Sequence, residues 1–240
     1  MLHPVVDGAF GDDRIVRWRD VAAWSGVALG SNTQFPTIAL PQDAPESELP
    51  WSGSSPEEGA LAGTDIAALA DILAAETTTP DRCWFCLWEG YGSGSRRGLA
   101  APGQPLQLYP DPIPPQVRRG PRVSMPVRDY FLLTGPIDSV TRSTVLADDG
   151  QTPNLSWPED RAWCVASEID LPWTYVAGSK ELAGRLPSNV RIEALPAEPT
   201  DSPHPRAEEW IQLLVEDAPT NYWLTVRLKS SPPKGRSLPT

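Results

Sequence analysis

Proline sets the tightest limit on what this chain can fold into. It occupies 28 of 240 positions, and eight of these fall within residues 102–126. Each one fixes φ and removes a backbone donor, so such a stretch is expected to exclude helix and central strand alike and to serve as a long connector. Within it Pro112-Ile113-Pro114-Pro115 has the formal spacing of a polyproline ligand, a pattern that arises readily by chance in a chain this rich in proline. Residues 42–63, dominated by Pro, Ser, Glu and Gly, are expected to form a mobile loop. The tail from Ser230, with Pro232, Pro233 and Pro239, is expected to fray.

Regular structure is confined to the intervals. Thr64 can cap a helix over residues 65–76, with Ile66, Leu69, Ala70 and Leu73 on one face, Asp65 favouring its N-terminus and Pro80 closing the interval. Residues 83–88 (CWFCLW), 129–134 (DYFLLT), 163–170 (WCVASEID), 191–195 and 222–228 (YWLTVRL) read as strands. Residues 173–176 either extend the sheet or lead into a short helix at 179–186. Residues 18–26 fit a short amphipathic helix or a strand pair, and 210–216 fit helix or strand. Several strands with few, short, irregularly placed helices predict an α+β fold on a mixed, mostly antiparallel sheet with long Pro-rich loops. The expected organisation is one domain over residues 1–197, then an extension over 198–240 with one or two added elements and a frayed basic tail.

Charge narrows the partners. The chain has 31 Asp and Glu against 20 Lys and Arg, a formal −11. That balance argues against nucleic acid or an anionic membrane as the main partner, although a local basic patch could still bind either. The charge comes in blocks. Residues 20–81 hold ten acids and no Lys or Arg, 96–128 hold six arginines and one acid, and the tail from Arg227 holds four basic residues and no acid. Neutralisation within the fold is the expected use of these blocks. No secretory leader and no apolar run of membrane-spanning length are visible, and three cysteines are too few for a disulfide framework. A cytoplasmic protein without cofactor or metal is the expectation. The excess of arginine over lysine, 17 to 3, reads as coding bias of a GC-rich genome.

Most catalytic templates fail on spacing. Cys83-Trp84-Phe85-Cys86 is a CxxC, but within a strand the period of two sends the cysteines to opposite faces, so they read as small buried hydrophobes. Gly90-Tyr91-Gly92 follows a strand, yet Arg97 stands where the third glycine of a dinucleotide loop belongs, which leaves a turn. Gly178-Ser179-Lys180 resembles the end of a phosphate loop, but Trp173 takes the place of its upstream glycine, so a helix-capping turn is expected. There is no GxSxG elbow, and His3 and His204 both neighbour prolines. One constellation remains. On an extended strand Glu168 and Asp170 would project from one face about 7 Å apart, with Glu89 joining them if its strand were adjacent. Such carboxylates can share a proton, bind a hard cation or receive an arginine, Arg161 for example. Of the ten tryptophans, Trp84 and Trp163 read as core, while Trp157 and Trp173, beside prolines at strand ends, are candidates for a rim or pocket.

The segments TPDRCWFCLWEGYG (79–92) and WPEDRAWCVASEIDLPWTYVAGS (157–179) resemble a group of uncharacterised bacterial proteins from GC-rich genomes. The resemblance implies a single domain over about residues 18–197 and brings no catalytic residue with it. The leading expectation is therefore a non-enzymatic protein-interaction module, of inhibitor or immunity type, whose acidic surface meets another protein. The competing expectation is an enzyme or small-ligand binder with Glu168 and Asp170 in a pocket lined by Trp173 and Tyr175. Either way the candidate contact residues are Glu89, Tyr91, Trp157, Arg161, Glu168, Asp170, Trp173 and Tyr175.

Overall fold

The computed structural model describes residues 1–2, 5–7, 14–40, 51, 53, 55–61, 63–91, 96–97, 108–109, 113–125, 128–142, 152–198 and 228–229. Strands are β1 (Val5–Asp7), β2 (Arg14–Val16), β3 (Cys83–Trp88), β4 (Arg96–Arg97), β5 (Leu108–Tyr109), β6 (Arg122–Met125), β7 (Arg128–Gly135), β8 (Leu155–Pro158), β9 (Trp163–Ser167), β10 (Thr174–Gly178) and β11 (Leu228–Lys229). Helices are α1 (Trp18–Ser25), α2 (Phe35–Ile38), α3 (Gly63–Ala74), α4 (Pro115–Arg119), α5 (Ser139–Arg142) and α6 (Lys180–Arg185). One sheet runs in the order β10-β9-β8-β3-β7-β6-β11, and β1-β2 and β4-β5 are separate two-stranded ladders. β9 is antiparallel to β8 and β10, and β6 to β7 and β11. This is an α+β fold on a mostly antiparallel sheet. Two compact units are distinguished, Met1–Phe85 with Thr134–Thr225, and Cys86–Leu133 with Val226–Thr240. Of the expected extension, only residues 198 and 228–229 are described, and 210–216 lie outside the described residues.

Local chemistry explains the elements of the first unit. In α1 the residues Trp18, Val21, Ala22 and Ser25 are buried, the i, i+3, i+4, i+7 stripe of a helix rather than a strand pair. Gly26 ends it at φ 76°, the left-handed conformation that a helix C-terminus favours. Trp18 meets Phe35 and Trp173 edge-on, with ring centroids 5.2 and 6.4 Å apart. Burying one tryptophan removes about 150–250 Å² from water, worth about 4–6 kcal/mol, so this trio anchors the packing of α1 and α2. Ser179 caps α6 through its Oγ, which accepts from Leu182 N–H at 3.1 Å. The Gly178-Ser179-Lys180 stretch is thus a capping turn.

Three expectations are corrected. Residues 191–195 form no strand. The Arg191 carbonyl accepts instead from the Arg17 guanidinium at 2.8 Å, and that of Glu193 from Leu2 N–H at 2.9 Å. The stretch 102–126 contains both α4 and the internal strand β6. Pro114 and Pro115 stand at the N-cap and first turn of α4, where no helical donor is required, and Pro121 and Pro126 fall just outside β6. Finally, β9 stops at Ser167. Leu171 N–H donates to the Glu168 carbonyl at 3.1 Å, making the turn into β10. The 42–63 loop also closes tightly at its described end. Pro56, Ala60 and Leu61 are buried, and Gly59, at φ 73°, lies so near Ile169 that a Cβ there would approach its carbonyl oxygen to 2.8 Å.

Two buried carboxylates tie the first unit together. Asp65, in the first turn of α3, receives both Arg17 Nη1 (2.5 Å) and Arg17 Nη2 (3.2 Å). Glu193 accepts from the backbone N–H groups of Trp18 (2.7 Å) and Arg19 (3.0 Å) and from Arg19 Nε (3.1 Å). It thereby satisfies two donors at the positive end of α1. Because Asp65 is 1% exposed, removing Arg17 leaves a buried charge. Arg17→Met should cost about 3–5 kcal/mol in urea unfolding, whereas the double change Arg17→Met with Asp65→Leu should recover most of that loss. Equal losses in both variants would mean that the pair is not an isolated buried charge couple.

Candidate functional site

The expected carboxylate pair is not presented by a strand. Glu168 and Asp170 occupy the turn after β9, where Glu168 Oε1 accepts from Ile169 N–H at 3.0 Å and Asp170 is exposed. The period-two argument fails there because a turn, unlike a strand, has no fixed alternation of faces. β8 stands between β3 and β9 in the sheet, so the strand preceding Glu89 is not the neighbour of β9. Glu89 itself begins a 3-10 turn, Glu89–Tyr91, in the second unit, and its Oε1 pairs with Arg122 Nε. Tyr91 ends that turn. Trp157, on β8, is half-buried, as is Tyr175 on β10, whose ring packs on the α1–α2 core.

Trp173 is core rather than rim, 6% exposed, against Trp18. Its Nε1 is buried without a hydrogen-bond partner, a cost of about 1–3 kcal/mol that the ring's burial outweighs. Trp163 is core as expected, its Nε1 donating to the Leu73 carbonyl at 2.9 Å. Trp84 is only half-buried. Arg161 is exposed in the turn between β8 and β9 at φ 57°. Its neighbour Asp160 organises that turn, accepting from Thr77 Oγ1, Thr78 N–H and Thr78 Oγ1, each at 2.7 Å, and from Ala162 N–H at 3.1 Å.

A cavity of about 30 Å³ lies inside the first unit, lined by Leu69, Leu73, Phe85, Trp163 and the hydroxyl-bearing Ser156, Ser167 and Thr174 among others. It has room for about one water. None of the eight expected contact residues lines it. No group of three or more His, Cys, Asp or Glu placed to hold a metal ion occurs among the described residues. The CxxC cysteines are both fully buried, on alternate faces of β3. Burial, then the negative charges of Asp160 and Asp81, pushes the Cys83 thiol up to about 11, and burial pushes Cys164 up to about 12.

Two surfaces escaped the reading of motifs. In the first unit Trp24 is 46% exposed and stacks edge-on against Trp51 at 5.6 Å. Trp51 N–H donates to the Ala39 carbonyl, and the following Leu40 is 56% exposed. A signal was present in the sequence: Trp24 lies off the Trp18-Val21-Ala22-Ser25 stripe, so a helix must turn it outward. In the second unit Arg122 donates to the carbonyls of Val117 (3.2 Å), Arg118 (2.6 Å) and Gly120 (2.9 Å), tying down the C-terminus of α4. The guanidiniums of Arg122 and Arg118 both lie over the Phe131 ring, at 4.4 and 5.4 Å from its centroid.

Comparison with protein-family models, with curated proteins and with solved structures gives no match. The chain's own chemistry therefore carries the functional reading.

Two outcomes check this description. Burial raises the Asp160 carboxyl, but hydrogen bonds from Thr77, Thr78 and Ala162 outweigh that and hold it at about 2. Its stabilisation is complete above the unfolded value of about 3.9 and is lost as pH falls through about 2. Asp160→Asn should lower stability at neutral pH and flatten the acid limb of the stability–pH curve between those values. In thiol labelling near pH 8, the native protein should show no rapidly reacting cysteine, while all three react in denaturant.

Proposed function

We propose that the protein is a non-enzymatic interaction module, of inhibitor or immunity type, whose acidic first unit receives a basic protein partner. The observation that carries this reading is the exposed Trp24, stacked on the half-buried Trp51 and neighboured by the exposed Leu40, in a unit of strongly negative charge. The first unit contains 28 of the chain's 31 acids and ten of its 20 basic residues, a formal −18. Asp65, Asp71 and Glu76 answer Arg17, Arg191 and Arg185, and Asp20, Glu57 and Glu58 are exposed. Tryptophan is the residue type that most often anchors an interface, and an acidic rim steers a basic partner towards it. The partner is therefore a segment rich in Lys and Arg with an apolar residue that seats against Trp24.

A reducing compartment fits Cys83, Cys86 and Cys164, which form no disulfide. No described helix is long and apolar enough to cross a membrane. We place the module in the cytoplasm on the strength of its free thiols.

Affinity capture with wild-type and Trp24→Ala baits tests the reading. The expected partner has an excess of Lys and Arg, is released by raised salt, and binds Trp24→Ala at least roughly tenfold more weakly. Equal capture by both baits, insensitive to salt, would remove the patch from the proposal.

A further inference from the structure

The sheet face beneath α3 carries hydroxyls among its apolar side chains. Directly opposed strand residues share a face, and so do residues two apart on one strand. Ser156 on β8 is opposed to Val165 on β9, and Ser167 on β9 to Thr174 on β10. The three hydroxyl residues therefore project from one face. Trp163 projects from it too, and its Nε1 reaches the Leu73 carbonyl of α3. Together with Thr152 they line the cavity of about 30 Å³.

These hydroxyls are not equally provided for. Ser167 Oγ and Thr174 Oγ1 bond to each other at 2.7 Å, and Thr152 Oγ1 accepts from Leu61 N–H at 3.1 Å. Ser156 is only 7% exposed, and its hydroxyl has no hydrogen-bond partner among the described residues. Burying a hydroxyl without a partner is unfavourable, and a polar cavity wall of this kind is where an internal water settles.

Size and lining select the occupant. The cavity exceeds the roughly 10–15 Å³ that one water needs and falls far short of the roughly 300 Å³ of a small-molecule pocket. No charged residue lines it, which argues against a metal ion. We propose that the cavity binds a single internal water, hydrogen-bonded to Ser156, Thr152 and Ser167. The bonding capacity matches. The Ser156 and Thr152 hydroxyls each have a proton to donate, and Ser167 Oγ keeps a lone pair whichever way it bonds Thr174. About three bonds is the usual number for a buried water. Through Thr152 the water links β8 and β9 to the segment that carries Leu61. This site is separate from the Trp24 surface, and neither reading depends on the other.

Oxygen-17 relaxation dispersion of the full chain, which counts long-lived internal waters, tests the inference. Wild type should show one more such water than Ser156→Ala, a change that removes only the hydroxyl. Ser25→Ala is the control. It deletes a buried hydroxyl outside the cavity, one that donates to the Ala22 carbonyl at 3.2 Å, and should leave the count at the wild-type value. A second measurement needs no variant. In wild-type crystals pressurised with xenon, the gas should stay out of this cavity, because a wet polar site excludes what a dry apolar one admits. Equal water counts in wild type and Ser156→Ala would overturn the proposal. Xenon bound in the wild-type cavity would overturn it as well, identifying a dry void beside the serine.

Discussion

The first unit depends on buried carboxylates that meet the start of one helix. α1 has eight residues, too few to hold itself in water by backbone hydrogen bonds alone. Glu193, from a segment about 170 positions away, supplies acceptors for its first donors, and Arg17 just before it reaches Asp65 at the start of α3. Both carboxylates are almost wholly buried, so each must find its full set of donors or impose a large desolvation cost. That requirement fixes the relation of α1, α3 and the 191–193 segment more narrowly than apolar packing alone, which tolerates sliding. The Trp18–Phe35–Trp173 contact then fills the space so defined.

This arrangement bears on how the surface is used. Once the stripe from Trp18 to Ser25 is committed inward, helical geometry leaves Trp24 facing out, beside Trp51. In the second unit the same economy of partners operates on cations. Arg122 is engaged by Glu89, four carbonyls and the Phe131 face, and its neighbours Arg118 and Arg119 are held at the end of α4. The two units thus differ in the sign of what they present, which a whole-chain charge of −11 averages away.

Much of the fold was legible where one local rule dominated. The aromatic run of β3, the apolar run of β7, the α3 periodicity and the cap of α6 at Ser179 all follow from spacing and capping chemistry that act within a few residues. Reading failed where partners are distant. Residues 191–195 look extended and apolar enough for a strand, yet their carbonyls are taken by Arg17 and Leu2. Proline density suggests a featureless connector at 102–126, but Pro114 and Pro115 stand at the start of α4, where a missing N–H costs nothing, and Pro121 precedes β6. The candidate site was the least legible part. The segment of Glu168 and Asp170 has strand composition, and a turn between paired strands leaves little trace when it carries no glycine.

The sequence by itself determined the fold class, the interiors of the longer elements, the burial of the CxxC cysteines and the segregation of charge into blocks. These are properties of composition and of periods shorter than one helical turn or two strand positions. Only the tertiary structure decided which tryptophans are core and which are surface, which carboxylates are spent on arginines, and which charge blocks belong to the same unit. Those outcomes rest on contacts between residues scores of positions apart, and no local pattern encodes the partner at the far end of such a contact.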